Sequence, residues 1–193
     1  MLVAEDEALI RMDLVEMLAE LGYLVVAEAA NGQQAVDLTR EHRPDVVLLD
    51  VAMPVRDGLS AAEEISAAGL APVIMVTAFS QREAVERATA AGVMGYLVKP
   101  FNRSDLAPAI AVALARWAQM VELAEQVTDL QARLVARQTV DRAKAHLQAS
   151  GELSEPEAFS LLRKRAMDSR TTLAEAAAAY LDEAATLGSD RIG

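Results

Sequence analysis

Five side chains suited to one reaction stand at the ends of apolar runs. Glu5 and Asp6 follow LVA, Asp50 ends DVVLLD, Thr77 closes the apolar part of PVIMVTA, and Lys99 ends MGYLVK. Carboxylates gathered in one place repel one another unless a cation neutralises them. Hard oxygen ligands, with no Cys or His among them, suit Mg²⁺. A carboxylate can then serve as nucleophile, since aspartyl phosphates are established covalent intermediates. Asp50 is the candidate for that role. Lys99 would add positive charge for the phosphoryl oxygens, and the Thr77 hydroxyl can donate a hydrogen bond to one of them. Singly, each residue has a plainer reading: an Asp after a strand is usually a cap, and a Lys before Pro is usually surface.

The joint reading requires elements that bring the five together. Leu9, Ile10, Leu14, Met17, Leu18 and Leu21 mark one side of a helix over 8–21, which Gly22 ends. YLVVAEA (23–29) reads as a strand, Asn31-Gly32 as a turn, and 33–42 as a second helix. DVVLLD (45–50) is apolar on both faces, as a central parallel strand should be. A loop and third helix follow over 54–69, then a strand at 72–78, a fourth helix at 82–92 and a fifth strand at 94–99. A fifth helix starts near Ser104. Five strands alternating with five helices imply an α/β fold: a parallel, doubly wound sheet with right-handed crossovers. Ligands of such sheets bind beyond the carboxyl ends of the strands, where all five residues fall.

Composition fits this frame. The chain of 193 residues is 53% apolar, enough for one ordinary domain and a smaller one. No cysteine is present, which excludes disulfides and thiolate metal sites and fits a reducing compartment. No uninterrupted apolar run reaches the length of a membrane span, so a cytoplasmic protein is expected. The net charge of −11 argues at first sight against a nucleic-acid partner. It is unevenly spread: residues 1–110 hold 8 Lys/Arg against 17 Asp/Glu, whereas 131–170 hold 8 against 5.

VAEDE, LLDVAMP, VTA and YLVKPF, in that order and spacing, resemble the receiver domain of two-component response regulators over about residues 1–115. The resemblance implies a flavodoxin-like fold, with Asp50 as phosphoacceptor. It implies Glu5, Asp6 and Asp50, with the Ala52 backbone carbonyl, as Mg²⁺ ligands. Thr77 and Tyr96 would be a switch pair, Lys99 the phosphate-contacting lysine, and Lys99-Pro100 a cis peptide. A cognate histidine kinase is the implied partner. Glu5 stands where many members have Asp, which still supplies a carboxylate. Few residues precede it, which leaves open a natural start further upstream.

The fifth helix runs on past the sheet. Met120, Leu123, Val127, Leu130 and Leu134 step by 3, 4, 3 and 4, a heptad seam. This stripe either packs within one chain or pairs two chains as a homodimer on phosphorylation. Residues 116–136 are read as a helical linker. Over 137–187 three helical patterns follow: the end of the long helix, a helix capped by the Ser154/Glu157 box with Pro156 in its first turn, and an Ala-rich helix capped by Thr171 or Thr172.

A major-groove reader needs Arg, Lys, Asn or Gln on its recognition helix, and TTLAEAAAAYLDEAA has none. The basic residues Arg137, Arg142, Lys144, Arg163, Lys164 and Arg170 lie on the two earlier helices. With Tyr180 they suit RNA, where phosphate contacts and stacking on loops dominate, although a solvated helix face is the plainer reading for each. Residues 140–177 resemble the ANTAR domain of transcription antitermination regulators. Ala143-Lys144, Gly151, Leu153, Ala158, Leu162-Arg163, Ala166-Met167 and Arg170 carry the resemblance, with Ala145 where Gly is common. The whole resembles the phosphorylation-dependent antitermination regulators of actinobacteria. That implies a phosphoacceptor regulator, not an ordinary enzyme, that binds RNA hairpins in nascent transcripts. The rival readings are an output domain that binds a protein partner and, less favoured, one that binds DNA.

Overall fold

The computed structural model describes residues 1–78, 91–151 and 153–189. The chain divides into two compact units, Met1–Glu122 and Leu123–Gly193. The first is built on strands β1 (Leu2–Ala4), β2 (Ala27–Ala29), β3 (Val47–Asp50), β4 (Val73–Thr77) and β5 (Gly95–Val98). All pair in parallel in the order β2-β1-β3-β4-β5. Helices α1 (Ala8–Glu20), α2 (Gly32–His42) and α3 (Gly58–Ala67) accompany them, with the first part of α4 (Arg103–Gly151). The helix expected over 82–92 lies outside the described residues in all but its last two positions, and Ala91 and Gly92 there form a turn.

Side chains alternate across a strand, so each strand feeds both faces of the sheet. Leu2, Ala4, Val47 and Leu49 pack with Ala35 and Val36 of α2 and with Ala62 and Ile65 of α3. Val3, Val46, Leu48, Ile74 and Val76 pack instead with Leu14 and Leu18 of α1 and with Leu106 and Ile110 of α4. Helix starts are fixed locally. Asn31 accepts from the Gln34 amide at 2.9 Å and Asp57 from the Ser60 amide at 3.0 Å.

Strand β2 is shorter than the apolar letters imply. Only Ala27–Ala29 pair with β1, while Leu24 is 75% exposed at the sheet's edge. Helix α4 also departs from expectation. Over one stretch of 18 residues its mean hydropathy of 1.3 meets that of a membrane span. Scattered polar residues hide this from a search for unbroken runs. Leu106, Ile110 and Ala113 nevertheless pack on the sheet.

The second unit holds the end of α4 with α5 (Glu155–Ser169) and α6 (Leu173–Ser189). Ala143, Leu147, Ala158, Leu162 and Ala177 form its core. The Ser154/Glu157 capping box and Pro156 start α5 as expected. The helix ends at Arg170, whose left-handed φ of 54° turns the chain. Thr172, paired reciprocally with Glu175, starts α6.

Candidate functional site

Parallel strands end on one side, and their terminal residues meet there. Glu5, Asp6, Asp50, Ala52, Thr77 and Lys99 line a single cavity of about 490 Å³, joined by Glu7, Ile10 and Ala78. Glu5, Asp50 and Thr77 are buried, at 1%, 5% and 1% exposure. Asp6 faces solvent. The Lys99 ammonium donates to Glu5 Oε2 at 2.6 Å and to Asp50 Oδ1 at 2.8 Å. The Ala52 amide donates to Asp50 Oδ2 at 2.7 Å.

Two buried carboxylates share one ammonium. Burial, reinforced by Asp50, pushes the Glu5 carboxyl above its ordinary range despite the bond from Lys99. Burial alone would lower Lys99, but its bonds to Asp50 and Glu5 outweigh that and hold the ammonium above its ordinary value. The surplus of negative charge invites a further cation. Glu5, Asp6 and Asp50 offer oxygens that all lie within 4.8 Å of one another. All-oxygen donors with no nitrogen or sulfur fit Mg²⁺.

Tyr96 does not line this cavity. It pairs with Met75 across β4 and β5 and packs on the α2 and α3 side of the sheet. Lys99-Pro100 is cis.

Three contributors escaped the sequence reading. Arg11 donates from Nη1 to the Glu5 carbonyl at 2.6 Å and from Nε to Glu28 at 3.2 Å, fixing the acidic turn after β1. Nothing in the local pattern of α1 marks it. Val55, 87% exposed, has a left-handed φ of 67°, an uncommon state for a β-branched residue, in the loop after Asp50. Gly58, the first residue of α3, donates its amide to the Val51 carbonyl at 3.0 Å. Its place directly after the Asp57 cap marks only a helix start, not this contact.

In the second unit the expected basic residues fall into two groups. Lys144 is held by Glu155 at 2.8 Å and Asp141 at 3.0 Å, and Arg137 stands 3.9 Å from Asp141. Arg142, Arg163, Lys164 and Arg170 are exposed and make no ion pair among the described residues. Tyr180 is less open than its sequence context implies. Its hydroxyl meets His146 Nδ1 at 2.7 Å, its ring lies 5.7 Å from the Arg165 guanidinium, and it packs on the domain core. Of the heptad stripe, Met120 is 40% exposed, Leu123 61%, Val127 45%, Leu130 63% and Leu134 57%.

A buried carboxylate bonded to an ammonium, with two further acids beside it at the carboxyl edge of a five-stranded parallel sheet, defines a receiver domain. The chain belongs to the response regulators: residues 1–111 match the response regulator receiver domain and residues 128–180 match the ANTAR domain. Nearly the whole chain is similar to the transcriptional regulatory protein PdtaR of Mycobacterium tuberculosis. The two are 51% identical over 190 residues, covering 98% of this chain and 91% of that protein. The first part alone is 41% identical to the chemotaxis protein CheY of Bacillus subtilis over 110 residues, 56% of this chain and 92% of that one.

Solved structures agree on the fold. The signal receiver domain of the response regulator NarL from Mycobacterium tuberculosis superposes with a TM-score of 0.57 at 32% identity, covering 59% of this chain and 94% of that one. CheY from Borrelia burgdorferi, solved with CheX, BeF3 and Mg²⁺, gives 0.54 at 27% identity over 56% of this chain and 84% of that one.

Proposed function

We propose that this protein is a phosphorylation-gated regulator that binds RNA hairpins in nascent transcripts and promotes antitermination. The observation that carries the reading is the Lys99 ammonium bonded to buried Asp50 and Glu5, in a chain whose residues 128–180 match the ANTAR domain. Asp50 is the phosphoacceptor. One of its carboxylate oxygens attacks the phosphorus of a phosphohistidine on a partner kinase. A P–O bond forms, the P–N bond breaks, and the imidazole leaves with a proton from solvent. Glu5, Asp6, Asp50 and the Ala52 carbonyl would hold Mg²⁺, which supplies positive charge for the phosphoryl oxygens.

Lys99 keeps its proton through the reaction and moves from two carboxylates to the new phosphoryl group. Thr77 donates to the same group. The modification adds roughly −1.5 to −2 charges at the strand edge. Tyr96, which does not line the cavity, responds to the displacement of Thr77. The linker, residues 116–136, pairs with a second copy along Met120, Leu123, Val127, Leu130 and Leu134. The pair presents two ANTAR domains at once, with the avidity that linkage gives. Arg137, Arg142, Lys144, Arg163, Lys164 and Arg170 supply the basic surface. The protein is expected to work in the cytoplasm, where transcripts are made.

The experiment has two parts. Labelled acetyl phosphate with Mg²⁺ should mark the wild type and leave Asp50→Asn unmarked. Hairpin RNA should then be retained on a filter more strongly by the marked protein. Equal retention with and without the phosphoryl group would remove the gating. Retention of neither RNA nor DNA would favour a protein partner for the output domain.

A further inference from the structure

The core face of α5 is Ala158, Leu162 and Ala166, all buried. One position further along the helix, Phe159, Arg163 and Met167 are spaced by four and so share a second stripe. That stripe faces outward: Phe159 is 41% exposed and Met167 70%. Arg170, the exposed C-cap, lies seven residues beyond Arg163, two helical turns along the same side. A solvated helix face has no need of an aromatic ring or a thioether.

The second unit has two aromatic residues among Phe, Tyr and Trp, and they differ in employment. Tyr180 is taken up by His146 and Arg165 inside the domain. The Phe159 ring is left at the surface, with Glu155 one turn before it and Arg163 one turn after. Arg163 and Arg170 have no ion pair among the described residues. Among the described residues, acids near the stripe are engaged elsewhere. Glu155 holds Lys144, Glu157 closes the capping box with Ser154, and Glu183 is taken by Arg165. Asp168 is one residue past Met167, and a single step turns it about 100° off the stripe.

We infer that the Phe159–Arg163–Met167–Arg170 edge of α5 is the docking surface for an unpaired RNA loop. One base stacks on the Phe159 ring, flanked by Met167, and the two guanidiniums hold the neighbouring phosphates. This rests on the RNA-binding reading above and adds to it where the loop sits and what reads it. An exposed ring serves every base but needs it unpaired, because a base within a duplex has its faces covered. A fully paired stem therefore meets only the arginines.

The test uses the full-length protein incubated with acetyl phosphate and Mg²⁺. The probes are a pool of RNA hairpins with one common stem and randomised loops, and the same stem as a blunt duplex. The wild type retains hairpins over duplex. Phe159→Ala lowers hairpin affinity roughly 5- to 150-fold and brings it towards that of the duplex. Phe159→Tyr restores it to within about threefold, since the ring is kept. Arg163→Gln flattens the dependence of log affinity on log salt by about 0.7.

Undiminished hairpin retention by a folded Phe159→Ala, or an unchanged salt slope in Arg163→Gln, overturns the inference while leaving RNA binding in place. Where Phe159→Ala fails to fold, the Arg163→Gln slope decides. A wild type that retains no RNA sinks the RNA reading itself, and this surface with it.

Discussion

The Cβ that Gly58 lacks would lie 1.8 Å from the carbonyl oxygen of Asp50. The neighbouring atoms at that point are backbone, so no side chain can swing aside to make room. Any larger residue must push the start of α3 away from the end of β3. Gly58→Ala is therefore expected to cost about 3 kcal/mol, the upper part of the range for overpacking. A urea midpoint measures this. The same shift displaces Asp50 from Lys99, so labelling by acetyl phosphate should fall even under conditions where the variant remains folded. A variant as stable and as readily labelled as the wild type would show that the close approach is not needed.

Lys99 holds two buried carboxylates apart. Lys99→Met removes the ammonium and leaves the buried Glu5 and Asp50 carboxylates without it. In EDTA the variant should lose roughly 3 kcal/mol, as when one partner of a buried ion pair is deleted. Mg²⁺ should recover part of that loss, because a second cation takes over the neutralisation. A double variant, Lys99→Met with Asp50→Asn, should be more stable than Lys99→Met alone. If the double variant is the weaker of the two, charge repulsion is not the cause.

Much of this was legible in the letters, and what was not has physical reasons. Fully apolar strands such as Val47–Leu49 announce burial on both faces, so the sheet and its acidic edge follow from sequence. Leu24, Val25 and Val26 look the same in composition, yet lie outside the paired part of β2. An edge strand has only one partner, and its length is set by how much of that partner is there to pair. Gly58 was hidden because glycine at a helix start reads as a turn, whereas its reason is an approach of two backbones from distant parts of the chain. Tyr180 could be placed from its letters either at the RNA or in the core. Its partners, His146 and Arg165, come from two other helices, and no periodicity within α6 can reveal them.

Glu5 gives the site a dependence on pH whose direction differs with and without metal. Its carboxyl titrates above the ordinary 4.5, through burial first and then Asp50. The folded protein thus binds that proton more tightly than the unfolded chain, so this group's contribution favours folding at low pH. It is lost as pH rises from the unfolded pKa through the folded one. Glu5→Gln removes the effect. In EDTA, the stability of Glu5→Gln relative to wild type should rise over this window. With Mg²⁺, binding competes with the proton at Glu5, so stabilisation of the wild type by the metal should grow over the same window. Urea midpoints from about pH 4 to pH 8, with EDTA and with Mg²⁺, give both curves. A difference between Glu5→Gln and wild type that stays flat in EDTA would contradict the direction.

Tyr180 ties three helices of the second unit through its hydroxyl to His146 and its ring to Arg165 and the core. Tyr180→Phe keeps the ring and loses one hydrogen bond, so about 1 kcal/mol of stability should go. Because the ring is occupied within the domain, retention of hairpin RNA by the folded variant should stay at the wild-type level. A selective loss of RNA binding without loss of stability would place Tyr180 against the RNA after all.

Leu123, Leu130 and Leu134 stand out from α4 at 57–63% exposure, on a seam of alternating three- and four-residue steps. A second copy offers an identical seam, and two such seams cover one another in register. Pairing must also be conditional if phosphorylation is to gate it. A ligand moves an equilibrium only by its difference in affinity for the two states, and a swing from 1:99 to 99:1 takes about 5.5 kcal/mol. Leu130→Glu places a charge in the seam without touching either core. Sedimentation equilibrium should find the wild type doubling in mass after acetyl phosphate treatment and Leu130→Glu remaining a monomer. The helical circular dichroism of the unphosphorylated forms should coincide, because the side chain is exposed in the single chain. Both proteins should still take label at Asp50, while Leu130→Glu should lose the avidity for paired hairpins and keep the affinity for a single one. A wild type whose mass is the same before and after labelling would separate the seam from the switch, and the signal would then have to reach the ANTAR domain within one chain.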